Sequence, residues 1–472
     1  MGEIIVIGGG IGGLSTASLL AKEGHQVTVL ERDPAPPPAS GPQAWDDWER
    51  RGVNQFRMIH YFLPRFRMIA EAELPELVKE LDADGALRIN PLADAPVEVT
   101  GGFRDGDEQF EAMTGRRPMV EAAFARVVDA TSGITMRRGV AVTGFLTGEP
   151  LLDGVPHVTG VVTDAGEQLA ADLVVDAAGR RSTLPSLLTD IGARAPIEER
   201  EDSGFMYYGR HYRSADGSMP FAFGPALQSY DSVSLLMLPA DNGTWGMGLI
   251  TSAADADLRA AKDAGVWEAI VRSYPLVAHW TDAEPITDIQ LMAKIEDRHR
   301  TFVIDGTPVA TGVVPVADSW ACTNPSVGRG ASIGLVHAQA LRDHVRNHGL
   351  DDPVSFATAW HDITDDTVEG LYRDTLSFDR HRLAEIDAQI AGEPYETDDP
   401  TWGITKALEA GGMVDPDVLR GYVALASLIE RADDVLARPG LFERVIELAE
   451  AGFEPNPGPS RAELLAVIAA AA

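Results

Sequence analysis

The chain has 472 residues, of which 45% are hydrophobic, and its mean hydropathy of −0.06 is typical of a globular protein. Its 39 basic and 72 acidic residues give a net charge of −33, which argues against nucleic acids and anionic membrane surfaces as partners. The length predicts two or three domains, the single cysteine excludes an internal disulfide and a paired-cysteine redox centre, and no apolar run approaches the roughly 18 residues of a membrane-spanning helix.

A dinucleotide-binding βαβ unit is predicted at residues 3–33. An apolar run suited to a buried strand precedes Gly8, Gly10 and Gly13, which form a G-x-G-x-x-G pattern at the start of a helix. The first glycine permits a tight turn, the second lets a pyrophosphate approach the backbone, and the third lets helix and strand pack closely. Glu31, at the end of the second strand, can accept hydrogen bonds from a ribose.

This apolar N-terminal stretch lacks the features of a secretory signal peptide. No basic segment precedes the apolar run, and glycines interrupt it. Its removal would also destroy the βαβ unit. We therefore expect a cytoplasmic protein.

A second strand-and-turn element is predicted in residues 168–188. A short apolar strand ends there at Asp176, and the chain turns at Gly179 before Arg180 and Arg181. The two arginines are suited either to binding a nucleotide phosphate or to pairing with the acidic surface.

Residues 204–251 alternate in polarity and are rich in aromatic side chains, which predicts a β-sheet. Several of its apolar side chains either line a pocket or form ordinary sheet core: Met206, Tyr208, Phe221, Phe223, Met237, Trp245 and Met247. Together they indicate a hydrophobic or aromatic substrate.

A third element follows in residues 307–341. A buried strand leads to Asp318, a proline-containing loop comes next, and Gly328 and Gly330 precede a long helix. The positive dipole end of that helix favours negative charge on a ligand in front of it.

Beyond about residue 350, apolar residues recur at helical spacing. We interpret this region as a helical cap over the active site or a dimer interface. The apolar residues 462–472 are too few to span a membrane and predict a docked or frayed terminal helix.

The three elements, in this order and spacing, resemble the motifs of the flavoprotein hydroxylases, the superfamily typified by para-hydroxybenzoate hydroxylase. The resemblance covers roughly residues 1–350, and residues 50–65 and 115–124 are most similar to its squalene-epoxidase-like and polyketide-epoxidase branch. It implies an α/β (α+β) fold: a Rossmann-type FAD-binding domain, an inserted β-sheet substrate domain and a C-terminal helical region. We predict an FAD-binding domain in two parts, residues 1–200 and 287–350. The substrate domain is predicted at residues 201–286 and the helical region at residues 351–472.

The resemblance also implies which residues bind the cofactor. The matching positions are Gly8, Gly10, Gly13, Glu31, Arg32, Arg117, Val140, Asp176, Gly179, Arg180, Asp318, Gly328 and Gly330. The glycines of the first motif would hold the FAD pyrophosphate, Glu31 the adenosine ribose, and Arg32 would lie beside the adenine end. Val140 would contact adenine through its backbone, and Asp318 would bind the ribityl or pyrophosphate segment.

Two further positions follow from the same resemblance. Arg117 looks like the family arginine that faces FAD, so we expect its neighbour Arg116 at the surface. Asp176, Gly179 and Arg180 match an element associated with both FAD and transient NAD(P)H binding.

The function implied is that of a monooxygenase. In the family, reduced flavin captures molecular oxygen as a C4a-hydroperoxide and delivers one oxygen atom to a hydrophobic small molecule by epoxidation or hydroxylation. Electrons would come from transiently bound NAD(P)H, or reduced flavin would be supplied by a partner reductase. Such chemistry needs no metal, and no metal-ligand spacing occurs; His60 is either a weak catalytic candidate or a structural histidine.

One position departs from the family pattern. The family has glycine before the aspartate of its third motif, whereas this chain has Ala317 before Asp318. We expect the added methyl group to shift the loop or to weaken FAD binding.

Two other flavin-dependent activities remain open. A reductase or dehydrogenase of the geranylgeranyl reductase type has the same fold but transfers hydride instead of oxygen. A flavin-dependent halogenase is a more distant alternative, because its Trp-x-Trp-x-Ile-Pro signature is absent from this sequence.

Overall fold

A five-stranded parallel sheet lies at the centre of the computed structural model, which describes residues 1–53, 55–93, 95–453 and 455–472. Asn54, within the stretch 50–65 compared above, is outside the described residues. The strands are, in spatial order, Val313–Pro315, Leu173–Asp176, Glu3–Ile7, Gln26–Glu31 and Ile134–Arg138. Their carboxyl ends share one edge, because the strands are parallel and Ile7 pairs with both Leu30 and Asp176. Ligands of such sheets bind at this edge.

Both faces of the parallel sheet are covered, as its continuous apolar strands require. One face packs against the helices Ile11–Lys22, Arg117–Ala130 and Gly330–His348. The other face packs against a small antiparallel sheet and a helix, Val142–Thr147, Val158–Thr163, Gln168–Ala170 and Leu184–Asp190.

A second, mainly antiparallel sheet is built from the segment with aromatic alternation. Its strands are Phe205–Arg213, Leu227–Ser229, Ser234–Pro239, Thr244–Ser252, Glu284–Pro285 and Gln290–Met292. One face packs against the helix Ala264–Arg272, where Trp267 is fully buried. The other face contributes Tyr207, Leu236 and Leu238 to a cavity described below.

The region beyond residue 350 is helical, as predicted. Its helices are Pro353–Thr364, Gly370–Ala391, Pro400–Gly411, Pro416–Ala426, Ala432–Leu436, Leu441–Ala451 and Arg461–Ala471, with a π-helical turn at Asp365–Glu369. Several of them share a core with Leu92 and Phe110 from the N-terminal half. A buried ion pair of 2.6 Å between Arg420 and Asp107 ties the same two regions together.

Shorter elements complete the described chain. The remaining helices and strands are Gly41–Asp47, Pro64–Glu73, Pro75–Ala83, Leu87–Ile89, Val97–Thr100, Ala112–Thr114, Ile197–Asp202, Glu296–Thr301, Val303–Ile304, Thr307–Pro308 and Ala321–Cys322. Short 3-10 turns occur at Asp107–Phe110, Gly179–Arg181, Asp257–Lys262, Ala278–Thr281 and Ala317–Ser319. The predicted fold class is confirmed, and the predicted domain boundaries stay a prediction. Within the described residues, no helix combines the length and the apolar character needed to cross a membrane.

The final helix is docked, not frayed. It packs against Ala264–Arg272, and its Leu464 and Ile468 join the core beneath the antiparallel sheet. A capping box between Ser460 and Glu463 starts this helix.

We expect Leu464→Ala to destabilise the protein by about 2–4 kcal/mol, because truncating a fully buried leucine leaves a cavity. Leu465→Ala, one position along and only partly buried, is the matched control and should cost much less. Urea unfolding of both variants measures the difference. Equal losses would show that the helix does not pack as described.

Candidate cofactor and substrate site

One cavity of about 1680 Å³ begins at the carboxyl edge of the parallel sheet and continues beneath the antiparallel sheet and the C-terminal helices. Ligand pockets usually measure about 300–1,000 Å³, so this cavity has room for a dinucleotide together with a second molecule. Its wall includes most of the predicted cofactor-binding residues, namely Gly8, Gly10, Glu31, Arg32, Arg117, Val140, Gly179, Arg180, Asp318, Gly328 and Gly330. His60 lies on the same wall, whereas Gly13 and Asp176 lie behind it.

The glycine motif fits a phosphate-bearing ligand. Gly8 has a φ of +106°, and a Cβ atom there would lie 2.5 Å from the carbonyl oxygen of Ala177. Gly13 packs so closely that its Cβ would lie 1.9 Å from the oxygen of Gly8. A Cβ on Gly10 would instead project into open space, with no heavy atom of the described residues within 4 Å. No side chain of the described structure caps the helix that begins at Ile11, so its first amides are free to bind phosphate.

Glu31 is held in place by a buried arginine. Its carboxylate accepts hydrogen bonds from the Gly9 amide at 2.7 Å, the Asp33 amide at 2.8 Å and the Arg50 guanidinium at 2.8 Å. Three of its four lone-pair positions are thus occupied, and one remains for a ribose hydroxyl.

Arg50 is a site residue that sequence reasoning missed. It also pairs with Asp33 at 3.3 Å and with the fully buried Glu121 at 3.0 Å. Although burial alone would lower the pKa of Arg50, the three carboxylates outweigh it and raise that pKa. Its position in the stretch 50–65 was the available signal, but the partners that explain it are far away in sequence.

Arg117 and His60 are in contact on the cavity wall, and Glu121 compensates the charge of Arg117. Arg117 donates to Glu121 at 2.7 Å and to Nε2 of His60 at 3.4 Å. Burial and the nearby Arg117 lower the pKa of His60 to about 3, so its ring is neutral near pH 7. The neutral ring donates from Nδ1 to the carbonyl oxygen of Met58 at 2.9 Å. Both ring nitrogens of His60 are therefore engaged within the protein, and the ring carries no charge near pH 7.

The prediction that Arg116 lies at the surface is wrong. Its guanidinium is buried and binds both carboxylate oxygens of Asp241, at 3.0 Å and 2.6 Å, and its amide donates to the same carboxylate at 2.7 Å. Asp241 lies in a turn of the antiparallel sheet, so this pair joins that sheet to the start of the helix Arg117–Ala130. A partner 125 residues away was not apparent from the local sequence.

Asp176 shapes the second motif from behind the wall. It accepts hydrogen bonds from Ser182 and, at 3.2 Å, from the amide of Ala178. Burial raises its pKa, against the opposing effect of Ser182. These bonds hold the turn that presents Gly179 and Arg180 to the cavity.

Asp318 faces the cavity next to two cations. Burial raises the pKa of Asp318, while Arg180 and Arg117 oppose that rise. Arg180 is oriented by a 3.0 Å hydrogen bond to the carbonyl oxygen of Thr323. Asp318 therefore offers a carboxylate to hydroxyl donors of a ligand.

Ala317 takes the left-handed conformation that is normal for glycine, with a φ of +55°. Its methyl group lies against two glycines, since Cβ atoms built on Gly12 and Gly334 would lie 3.0 Å and 3.2 Å from it. The amide of Ala317 donates to Nδ1 of His337 at 3.1 Å. The loop thus accommodates the methyl group where the adjoining helices carry no side chain.

His337 anchors this loop as a neutral ring. Burial lowers its pKa to about 3, and Nε2 contacts the hydroxyl of Thr364 at 3.1 Å. His299, on the strand Glu296–Thr301, contacts Glu199 at 3.6 Å and Glu369 at 3.9 Å. Within the described residues, no group of His, Cys, Asp and Glu is placed to hold a metal ion.

We expect His337→Phe to destabilise the protein by about 1–3 kcal/mol, because the half-buried Ala317 amide loses its acceptor. The folded pKa of His337 is lowered to about 3, so its contribution to stability is present above its unfolded pKa and is lost as pH falls towards 3. Below pH 6.5, the neutral ring of His337 should lower the free energy of unfolding of the wild type by about 1.4 kcal/mol per pH unit. The variant has no imidazole and should lack this part of the decline. Urea midpoints from about pH 7 to 4 test this; parallel pH curves for both proteins would contradict it.

The far part of the cavity is mainly apolar. Its wall includes Ile59, Phe110, Phe221, Phe223, Leu236, Met237, Leu238, Met292, Leu408 and Leu419. Of the seven side chains considered for a pocket, Phe221, Phe223 and Met237 lie on the wall. The other four, Met206, Tyr208, Trp245 and Met247, belong to the sheet core. The C-terminal helices contribute Glu409 and Tyr422, which sequence reasoning did not identify.

Comparisons with known proteins support the fold described above. The family model for FAD-dependent oxidoreductases matches residues 3–44. The structure of PqsL, a probable FAD-dependent monooxygenase from Pseudomonas aeruginosa, superposes with a TM-score of 0.61 at 16% identity, covering 83% of this chain and 98% of PqsL. The p-nitrophenol 4-monooxygenase PnpA from Pseudomonas putida gives 0.60 at 16% identity, covering 91% of this chain and all of PnpA.

Together, the glycine motif and the matched family model define an FAD-dependent oxidoreductase. Protein Rv3254 of Mycobacterium tuberculosis is 30% identical over 359 residues, which are 72% of each chain. The chain belongs to the same family as Rv3254.

Proposed function

We propose that the protein is a monooxygenase that inserts one atom of molecular oxygen into a hydrophobic or aromatic small molecule, by epoxidation or hydroxylation. The observation that carries this proposal is the continuity of one cavity, from the glycine motif at Gly10 to the apolar wall at Leu236 and Leu238. A cofactor and an apolar substrate can therefore share one continuous cavity. The neighbours PqsL and PnpA support the fold that such a reaction uses.

The residues present fit FAD at one end of the cavity. The free amides at Gly10 and the following helical turn suit its pyrophosphate, Glu31 its ribose, and Asp318 its hydroxyl-bearing chain. When bound and reduced, FAD supplies two electrons to molecular oxygen. The chain itself binds and orients the reactants.

The protein's own contribution is to exclude water and to position charge. Apolar side chains of the antiparallel sheet and of the helices Pro400–Gly411 and Pro416–Ala426 surround the far part of the cavity. Arg180 and Arg329 on the wall, together with the helix N-terminus at Gly330, place positive charge where an oxygen anion would develop. Neutral His60 leaves this field unchanged near pH 7.

We propose that NAD(P)H binds transiently near Arg180 as the electron donor, with a partner reductase as the alternative outcome. Stopped-flow mixing of the FAD-bound protein with NADPH or NADH, without oxygen, tests this. Fast reduction that slows in Arg180→Met supports the proposal. Slow reduction by both nucleotides would indicate a partner reductase. Fast reduction without later oxygen consumption would indicate a hydride-transferring reductase.

A further inference from the structure

A buried carboxylic acid lies beside the cavity and has no role in the account above. Asp379, on the helix Gly370–Ala391, is 3% exposed. Its Oδ1 is hydrogen-bonded to Ser326, and its Oδ2 is buried without a hydrogen-bond partner in the described structure. It forms no ion pair with any described residue. An ionised carboxylate in this position would be costly.

The groups around Asp379 come from three other elements. Asp297 lies on the strand Glu296–Thr301 and holds the Asn324 amide at 2.6 Å. Tyr207, on the antiparallel sheet, donates to the side chain of Asn324 at 2.7 Å. Arg329 precedes the helix Gly330–His348 and donates to Thr375 at 3.2 Å.

These surroundings keep Asp379 protonated near neutral pH. Burial, assisted by Asp297, raises the pKa of Asp379 to about 8, against the opposing effects of Ser326, Asn324 and Arg329. Burial also raises the pKa of Asp297 to about 6, so Asp297 is the member of this pair that ionises first.

Ser326 connects this acid to the cavity. Ser326 lies on the cavity wall, in the loop that leads to Gly328 and Gly330. When Asp379 is protonated, its O–H group can donate to Oγ of Ser326, and the serine proton is then free to point into the cavity. When Asp379 is ionised, Ser326 must donate to it and offers the cavity only an acceptor.

We propose that Asp379 and Ser326 form a proton relay that delivers one proton to reduced oxygen in the cavity. The inference rests on the proposed oxygen chemistry. Conversion of O₂ to hydrogen peroxide takes two electrons and one proton from the reduced cofactor and one further proton. The Ser326 O–H bond breaks as the new peroxide O–H bond forms, and the Asp379 proton moves to the serine oxygen. Asp379 is left as a carboxylate, which solvent reprotonates.

The test uses the FAD-bound protein without substrate, reduced chemically and mixed with oxygenated buffer between about pH 6 and 9. We expect reoxidation of the wild type to slow about tenfold per pH unit above the pKa of Asp379, which lies at about 8. Asp379→Asn and Ser326→Ala should both be at least about tenfold slower at pH 7 and independent of pH. Asp387→Asn, exposed on the same helix, is the matched control and should behave as wild type.

Unfolding of the cofactor-free protein gives a second readout. Because the folded pKa of Asp379 is raised to about 8, its stabilising effect is present at low pH and is lost as pH rises towards 8. Asp379→Asn should lack this decline in urea midpoint, whereas Ser326→Ala should keep it. A merely structural pair would change the midpoints without changing the pH profile of reoxidation.

Three results would overturn the relay. Wild-type reoxidation rates in Asp379→Asn would do so while leaving the proposed function intact. An unchanged pH dependence of stability in that variant would show that Asp379 is not the buried acid. A reduced wild-type protein that does not react with oxygen would overturn both the relay and the monooxygenase proposal.

Discussion

A Gly10→Ala variant is expected to fold normally and to bind FAD at least about tenfold more weakly, a loss of about 1.4 kcal/mol. The added Cβ meets no described heavy atom within 4 Å, so the protein itself accommodates it. It would project from the N-terminus of the helix Ile11–Lys22 into the space where we place the pyrophosphate. Fluorescence titration of the cofactor-free protein with FAD measures the loss.

Gly13→Ala, three residues further on, is the matched contrast. Its Cβ would lie 1.9 Å from the carbonyl oxygen of Gly8, which backbone movement alone can relieve. We expect destabilisation of more than about 3 kcal/mol or failure to fold. If the Gly10→Ala protein binds FAD as tightly as wild type, the pyrophosphate does not bind at Gly10. A stable Gly13→Ala protein would contradict the close packing of helix and strand.

Arg50→Met is expected to destabilise the protein by about 3–5 kcal/mol at pH 7, because buried charges would lose their partner. The three carboxylates are Glu31, Asp33 and Glu121, all within 3.3 Å of the guanidinium. Without Arg50, these buried carboxylates lose the cation that they share, and burying uncompensated negative charge is costly.

Arg51→Met is the control for this experiment, since Arg51 adjoins Arg50 and is exposed. Urea midpoints of both variants at about pH 7 measure the difference. FAD binding should weaken in Arg50→Met, because Glu31 loses a group that orients it. Equal stability of the two variants would show that Arg50 does not neutralise the buried cluster.

The βαβ unit could be predicted because its signals are local. Gly8, Gly13 and Glu31 lie within one short stretch, and each has a steric or chemical task that its residue type reveals. The antiparallel sheet and the C-terminal helices were likewise predicted from their periodicity.

The parts of the site that were missed depend on partners distant in sequence. Arg50 is explained by Glu121, 71 residues away, and Arg116 by Asp241, 125 residues away. Tyr422 lines the cavity because of the way in which the C-terminal helices dock. The periodicity of those helices does not specify how they dock. A single sequence carries the residue types of such pairs but not their proximity.

Incorporation of ¹⁸O from isotopically labelled molecular oxygen is the most direct test of the central claim. The FAD-bound protein would be supplied with reductant, ¹⁸O₂ and a panel of apolar aromatic and alkenyl compounds, and products would be analysed by mass spectrometry. We predict a product carrying one ¹⁸O atom from ¹⁸O₂, and none from labelled water. A product that has gained hydrogen and no labelled oxygen would contradict the monooxygenase account and indicate a reductase.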